Sequence, residues 1–468
     1  MVNRGQPSRD CLPCRKRKLR CDLRPDGCGQ CLRARLRCYG YRDPQDLVFR
    51  DETRSTKQKV VARQSHPTTM ELGWNIRARY AFFSVYVLGF SHSLGPVAPF
   101  YNRASSLDHL SASIEATSLA FVAIQLHAPA LKHLASISYV TAIQRLGKAL
   151  SELSNSGEEE ALQSILLLDM YEKMVNPNPR GSSWMSHALG GMSLLAPRLQ
   201  RFASSITGRQ LCGRLVTALT VSCGASALRV PDALTTLRGH LDPSMGTVKW
   251  KFTGILSQVV DLQAEFHNTG GICTTNLAER AQHLDDQLRG LEETLPLSWR
   301  SRQISPVRPD PLVFGSHYEI YADHFVTQVT NGIRVARLMV NKILLVGTSA
   351  DVSNSSPSNN ILAQICDITH HICATVPQFV LPEALPENSL PFSPHQSLQC
   401  CLLLAPLYIA HQVSTDSLMR HWILQCLRYM AETGCMRIAK DVADLMIRNP
   451  DVDYWLVYAM VGCYAFAA

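Results

Sequence analysis

The sequence predicts an all-α protein: a small cysteine-rich module at the N-terminus and a large, irregular helical bundle behind it. Three observations carry this. Six of the 16 cysteines crowd between Cys11 and Cys38. The excess positive charge sits in the same segment: residues 1–38 hold 11 Lys and Arg against 3 Asp, while the other 430 residues hold 35 basic and 35 acidic side chains. From Trp74 onward apolar residues recur at helical spacing, and period-two alternation is almost absent.

At 468 residues, with 46% apolar and 18% charged side chains, the chain can bury a large core, which excludes wholesale disorder. A basic piece on a neutral body is the electrostatic footprint of a polyanion-binding module attached to a globular domain. The first residues, Met1 to Pro7, have no apolar core and do not read as a secretory signal. The uncharged tail 454–468 is 15 residues, short of the ~20 that span a bilayer, and reads as a terminal helix docked on the core.

The first element is the cysteine cluster, spaced C-x2-C-x6-C-x6-C-x2-C-x6-C over Cys11, Cys14, Cys21, Cys28, Cys31 and Cys38. Its two halves match. Structural zinc takes four thiolate or imidazole ligands in a closed tetrahedron, and residues 1–64 contain no His. One four-cysteine site would strand two thiols. Two zinc ions each reach four ligands if two thiolates bridge, and the equivalent positions Cys11 and Cys28 are the natural bridges. So short a segment cannot bury enough apolar surface to fold alone, so metal binding must supply its folding free energy. A closed all-sulfur site leaves no open position for water, and no HExxH pattern occurs, so catalytic residues are not assigned.

Each C-x2-C pair opens a short helix, with Pro13 early enough to be tolerated. The run Arg15, Lys16, Arg17, Lys18 and Arg20 follows the first pair; Arg33, Arg35 and Arg37 occupy the corresponding place in the second half. On a two-turn helix such a run fans out, some side chains facing the cluster and others solvent or DNA. Arg and Lys suit guanine edges in the major groove, and the remainder neutralise phosphates.

The pattern CLPCRKRKLRCD…CGQC…C resembles the fungal binuclear zinc cluster transcription factors in its spacing, its basic run and Asp22 after the third cysteine. The resemblance implies a nuclear, sequence-specific regulator of RNA polymerase II genes that reads CGG-type triplets in double-stranded DNA. It places the first helix in the major groove, with Lys18 at the bases and Arg17 beside it. Arg15 and Arg20 then face phosphates or the cluster. Pro25, three residues before Cys28 rather than two, departs from the family's loop.

Residues 39–75 read as linker after the DNA-binding module 1–38, with a short charged helix over 51–64. No sustained apolar heptads occur between 42 and 75, so no coiled coil is expected there. The body, 76–468, shows a helix over Leu162, Ile165, Leu166, Met170 and Met174, a long helix from Ala322 to Ile343, and one or two helices between Asp416 and Ile447 broken near Gly434. Irregular stretches are expected at 296–311, 348–360 and 376–394. Leu167-Leu168-Asp169-Met170-Tyr171-Glu172-Lys173, then Trp184, His187 and Gly190, and also Leu295 to Trp299, resemble the regulatory domain of a filamentous-fungal subfamily. That resemblance implies control of the DNA-binding module, partners among the transcription machinery or co-regulators, and regulation of a specialised (secondary) metabolic pathway. A homodimer, if formed, is made through this helical domain. The scattered cysteines Cys212, Cys223, Cys273, Cys366, Cys373, Cys400, Cys401, Cys426, Cys435 and Cys463 read as small buried hydrophobes. The adjacent His370 and His371 point apart on a helix. Two rival readings remain: a zinc-stapled module docking protein or RNA, and an enzyme within the helical body. Against the second, no Ser-His-Asp spacing, phosphate loop or dinucleotide fingerprint is found.

Overall fold

The computed structural model describes residues 8–41, 69–101, 108–152, 157–176, 178, 180, 183–349 and 355–462. Most of the expected linker, and all of the short helix expected over 51–64, lie outside these residues, as does Cys463. The chain divides into two compact units, residues 1–72 and 73–468.

Among its described residues, the first unit holds two five-residue helices, α1 (Leu12–Lys16) and α2 (Gly29–Arg33), each opened by a C-x2-C pair. Its interior consists of cysteines, with Cys11, Cys14, Cys21, Cys28 and Cys31 buried and Cys38 and Tyr41 packed against them.

The second unit is a bundle of helices around one large apolar core, with a small separate cluster of Val313, Tyr318, Ile320 and Leu381 at the hairpin. Its order begins within α3 (Thr69–Ala81), which crosses the boundary between the units at residue 73 and is prolonged by a π-helical turn at Phe82–Val87, then α4 (His109–Gln125), α5 (Pro129–Ser151), α6 (Glu158–Val175) and α7 (Ser183–Leu195). It continues through α8 (Leu199–Ser204), α9 (Ile206–Ala225), α10 (Asp232–Leu241), α11 (Val248–Asn268) and α12 (Thr275–Glu293). After a hairpin of β1 (Arg302–Ile304) and β2 (Tyr318–Ile320) come α13 (His324–Ser349), α14 (Ser355–Ala374), α15 (Pro377–Val380) and α16 (Pro394–Val413). The last three are α17 (Ser417–Glu432), α18 (Arg437–Arg448) and α19 (Tyr454–Val461).

Local sequence starts these helices. Side-chain oxygens of Asp108, Ser205, Thr247, Thr274, Ser393 and Asp453 accept the orphan N–H groups at the first turns of α4, α9, α11, α12, α16 and α19. Helix α6 opens on Glu158, Glu159 and Glu160, which complement the N-terminal end of its dipole. From Ala161 to Tyr171 it is buried throughout, so the Leu167–Lys173 motif is core. A buried ion pair joins Asp169 and Lys173 at 2.7 Å, and Lys173 also lies over the Trp184 ring. At the end of the chain, Trp455 packs on Gly224 so closely that an added Cβ would stand 2.4 Å from the indole. Any side chain there displaces α19 from α9.

Three features differ from the sequence reading. The 296–311 stretch contributes β1, paired antiparallel with β2 in the register Gln303 opposite Glu319; strands of three residues are too short to show alternation. Helices α13 and α14 extend into 348–360 from both sides. Among the scattered cysteines, Cys366 and Cys435 are exposed and Cys273 is partly so. Cys366 lies on the solvent side of the amphipathic α14, and Cys435 follows Gly434 in the α17–α18 turn with φ +59°.

Glu319 of β2 is buried, and its carboxylate meets Arg334 of α13 at 3.3 Å and His371 of α14 at 2.7 Å. Arg334 also reaches Glu292, and Arg337 reaches Asp285, each at 3.0 Å. This network ties the hairpin to α12, α13 and α14. His370 points elsewhere, to Phe314, as adjacent helical residues must. Among the described residues, no helix is long and apolar enough to cross a membrane.

Candidate metal centre and nucleic-acid interface

The cysteine module repeats its backbone geometry after seventeen residues. In the first half Arg17 N donates to Pro13 O (3.1 Å) and Leu19 N to Cys14 O (3.0 Å); in the second, Ala34 N donates to Gln30 O (3.2 Å) and Leu36 N to Cys31 O (2.9 Å). Lys18 and Arg35 close the two helices at φ +52° and +53°, the left-handed region that glycine usually fills at a helix end. Both halves therefore turn back after one helical turn, which returns each third cysteine toward its C-x2-C pair.

The sulfurs come together in two overlapping sets. Cys11, Cys14, Cys21 and Cys28 form one; Cys11, Cys31 and Cys38 form the other, all within 4.8 Å of one another in each set. Cys14 Sγ and Cys28 Sγ are 3.3 Å apart, and Cys11 Sγ and Cys31 Sγ 3.6 Å. A tetrahedron with Zn–S bonds of about 2.3 Å spaces its sulfurs by roughly 3.8 Å, whereas a disulfide needs about 2.05 Å. Cys28 Sγ also accepts the backbone N–H of Cys31 at 3.4 Å, as an anionic thiolate would. The donor set thus fits zinc, and Cys11 belongs to both sets.

Asp22 contributes what spacing alone did not reveal. Its carboxylate accepts the Gly29 N–H (2.9 and 3.1 Å), an orphan donor at the start of α2, and pairs with Arg24 at 3.1 Å. Gly29 permits this approach, since a Cβ there would lie 2.6 Å from the carboxylate. The pattern that could have shown it is an acidic residue ahead of a Cys-Gly helix start. Tyr41 donates to Arg24 O and closes the module; burial and the neighbouring cysteine charges raise its phenol to about 12.

The basic run does not fan out on a two-turn helix as the sequence suggests: α1 ends at Lys16 after one turn, and Arg17, Lys18 and Arg20 lie in its cap and beyond. Arg15 is partly buried, and its Nε is buried without a hydrogen-bond partner. Lys16, Arg17, Lys18 and Arg20 are exposed, as are Arg33, Arg35 and Arg37. The cysteines are buried, Cys38 partly, and the cations from Lys16 to Arg20 exposed on the same short module.

Two family models match this chain. The fungal Zn(2)-Cys(6) binuclear cluster domain matches residues 9–47. The fungal specific transcription factor domain matches residues 98–442, nearly three quarters of the chain. The chain belongs to the fungal specific transcription factor family. No curated protein and no solved structure is matched. A fungal transcription factor with this cluster binds DNA and carries two zinc ions, and its cysteines are arranged for metal binding. Both matched families are transcription-factor domains rather than enzymes, and their role is nuclear. Cys11, Cys14, Cys21, Cys28, Cys31 and Cys38 would hold the metal, which would cross-link the two halves of the module and offset the thiolate charge. The chain's own residues do the rest: Asp22 fastens α2, the left-handed Lys18 and Arg35 reverse the backbone, and the cations from Lys16 to Arg20 stand exposed outside the cluster.

Proposed function

We propose that this transcription factor reads CGG-type triplets in the promoters of RNA polymerase II genes through α1. Cys11, Cys14, Cys21, Cys28, Cys31 and Cys38 are the zinc ligands, with Cys11 and Cys28 bridging. Lys18 contacts the bases with Arg17 beside it, Arg15 and Arg20 serve phosphates or the cluster, and Lys16 is a further DNA contact. The observation that carries the reading is the separation just described: every cation from Lys16 to Arg20 is exposed while the sulfurs beneath them are buried. Arg and Lys in that setting suit guanine O6 and N7. The working division is residues 1–38 for DNA binding, 39–75 for linkage and 76–468 for regulation, in the nucleus. The helical body is the seat of any homodimer and of contacts to co-regulators, and the subfamily likeness of its motifs supports control of a specialised metabolic pathway.

Selection of bound sites from a random duplex library by the zinc-loaded, full-length protein tests this. Paired CGG triplets at fixed spacing are the expected product and report a dimer; a single enriched triplet reports a monomer. No enrichment overturns base reading and leaves a zinc-stapled module for protein or RNA partners.

A further inference from the structure

The helical unit contains two adjoining spaces that its core packing leaves unfilled. The larger, about 120 Å³, lies among α9, α11, α13, α16 and α19, and its wall is apolar: Phe252, Leu256, Val335, Met339, Trp455 and Tyr458. The smaller, about 30 Å³, is polar and holds Asp169, Lys173, Arg214 and Lys249. Thr217 and Lys249 line both, so the polar space abuts the apolar one.

The charges in the smaller space do not balance. Its one carboxylate, Asp169, is bonded to Lys173 at 2.7 Å, and Lys173 donates again to Ala218 O at 3.2 Å. Arg214 and Lys249 face the same space with no ion pair of their own among the described residues. Arg214 Nη1 and Asp169 Oδ1 are both buried without a hydrogen-bond partner. Burial lowers the Lys249 ammonium to about 8, with the Arg214 charge adding to the effect, and burial lowers Arg214 itself to about 10. Arg214 and Lys249 are half-buried; cations held partly out of water without an ion pair are costly, and an anion would complete the set.

We propose that these spaces form one ligand site for a small carboxylic acid whose apolar body is about the size of one aromatic ring. The carboxylate lies at Arg214 and Lys249; the body occupies the apolar cavity. Size supports the class. A cavity of ~150 Å³ lined by apolar side chains takes benzene, and a polar space needs roughly 10–15 Å³ for each water. The two spaces thus match one ring and one carboxylate. Chemistry supports it as well, because three cations around the single carboxylate of Asp169 leave positive charge in excess, which selects an anion, and a mostly apolar, aromatic-rich wall selects an apolar body. The site touches both α6, which carries the Leu167–Lys173 motif, and the terminal helix α19, so occupancy would tie the end of the chain to the middle of the bundle.

The test uses the zinc-loaded full chain and titrates benzoate, benzyl alcohol and acetate by calorimetry and thermal melting. Benzoate is expected to bind and raise the melting temperature, with acetate and benzyl alcohol each at least about tenfold weaker. Arg214→Met and Lys249→Met should each weaken benzoate by about thirtyfold or more while leaving benzyl alcohol unchanged, as removal of one partner of a buried charge pair does. Without ligand, both variants should melt at or above the native temperature, because each removes a half-buried cation that has no ion pair. Equal binding of benzyl alcohol overturns the anionic half of the site. Equal binding of acetate overturns the apolar half. No binding of any of the three, up to about 10 mM, overturns the proposal on the native protein alone, whatever the variants do.

Discussion

Replacing Lys18 by alanine and, separately, by glycine separates base reading from backbone strain. The residue closes α1 at φ +52° and its side chain is exposed. A side chain bearing Cβ costs about 1 kcal/mol in that conformation, and glycine does not. Alanine keeps the strain and removes the ammonium; glycine removes both. Each variant should therefore lose the same base discrimination, about 1–3 kcal/mol or roughly 5- to 150-fold between a CGG-type site and its scrambled counterpart. Only the glycine variant should gain module stability, by about 1 kcal/mol, which is roughly fivefold more resistance to a zinc chelator. Arg35, at φ +53° in the second half, is the internal control. Arg35→Gly should show the same gain with no change in base preference. Fluorescence anisotropy with competitor duplexes at two salt concentrations, beside a chelator titration, reads all three. If Lys18→Ala weakened every sequence equally, or if Arg35→Gly shifted the preference, the assignment of base reading to α1 would be wrong.

Further outcomes follow from the same geometry. Chelation of zinc should abolish DNA binding while circular dichroism changes little, because α1 and α2 together are only ten residues. Alanine at Lys16 or Arg20 should lower the slope of log binding constant against log salt by about 0.9 for each phosphate lost, measured on specific and random duplexes alike. Gly224→Ala should cost about 1–3 kcal/mol by overpacking against Trp455, seen as an early melting step in tryptophan fluorescence. Acid should weaken the helical unit through Glu319. Burial pushes that carboxyl up, but the His371 hydrogen bond and the Arg334 charge outweigh it and hold the group down at about 2. A depressed carboxyl contributes stability that is complete above its unfolded value, near 4.3, and is lost as pH falls from about 5 toward 2. The amount is roughly 3 kcal/mol. All six tryptophans lie beyond residue 72, so their fluorescence follows this unit. Glu319→Gln should flatten its stability between pH 5 and 3, and an unchanged acid profile would remove Glu319 from the account.

Much of the metal module was legible beforehand because its determinants are local. Ligand count, matched half-sites and charge placement all fall within 28 residues, where metal ligation outweighs other packing forces. What spacing did not reveal was the Asp22–Gly29 contact and the left-handed Lys18 and Arg35, since φ is chosen by the closing hydrogen bonds rather than by residue type. In the body, apolar spacing located α6, α13, α17 and α18, because a helix buries one face whatever its neighbours are. The hairpin was hidden because three-residue strands have no period. Cys366 and Cys435 were misjudged because residue type states a preference for the interior, while exposure depends on which side of a helix or turn the fold covers.

Sequence by itself therefore determined the class of this protein: a thiolate-rich, cation-bearing DNA-binding module ahead of an all-helical body. Only the tertiary structure decided where Asp169, Arg214 and Lys249 meet. They come from α6, α9 and α11, each on a helix whose periodicity is satisfied by burial alone. Nothing local to any one of them reports the others. Three distant charges share one buried space because helix packing brings them there, and their imbalance is a property of that packing rather than of any segment.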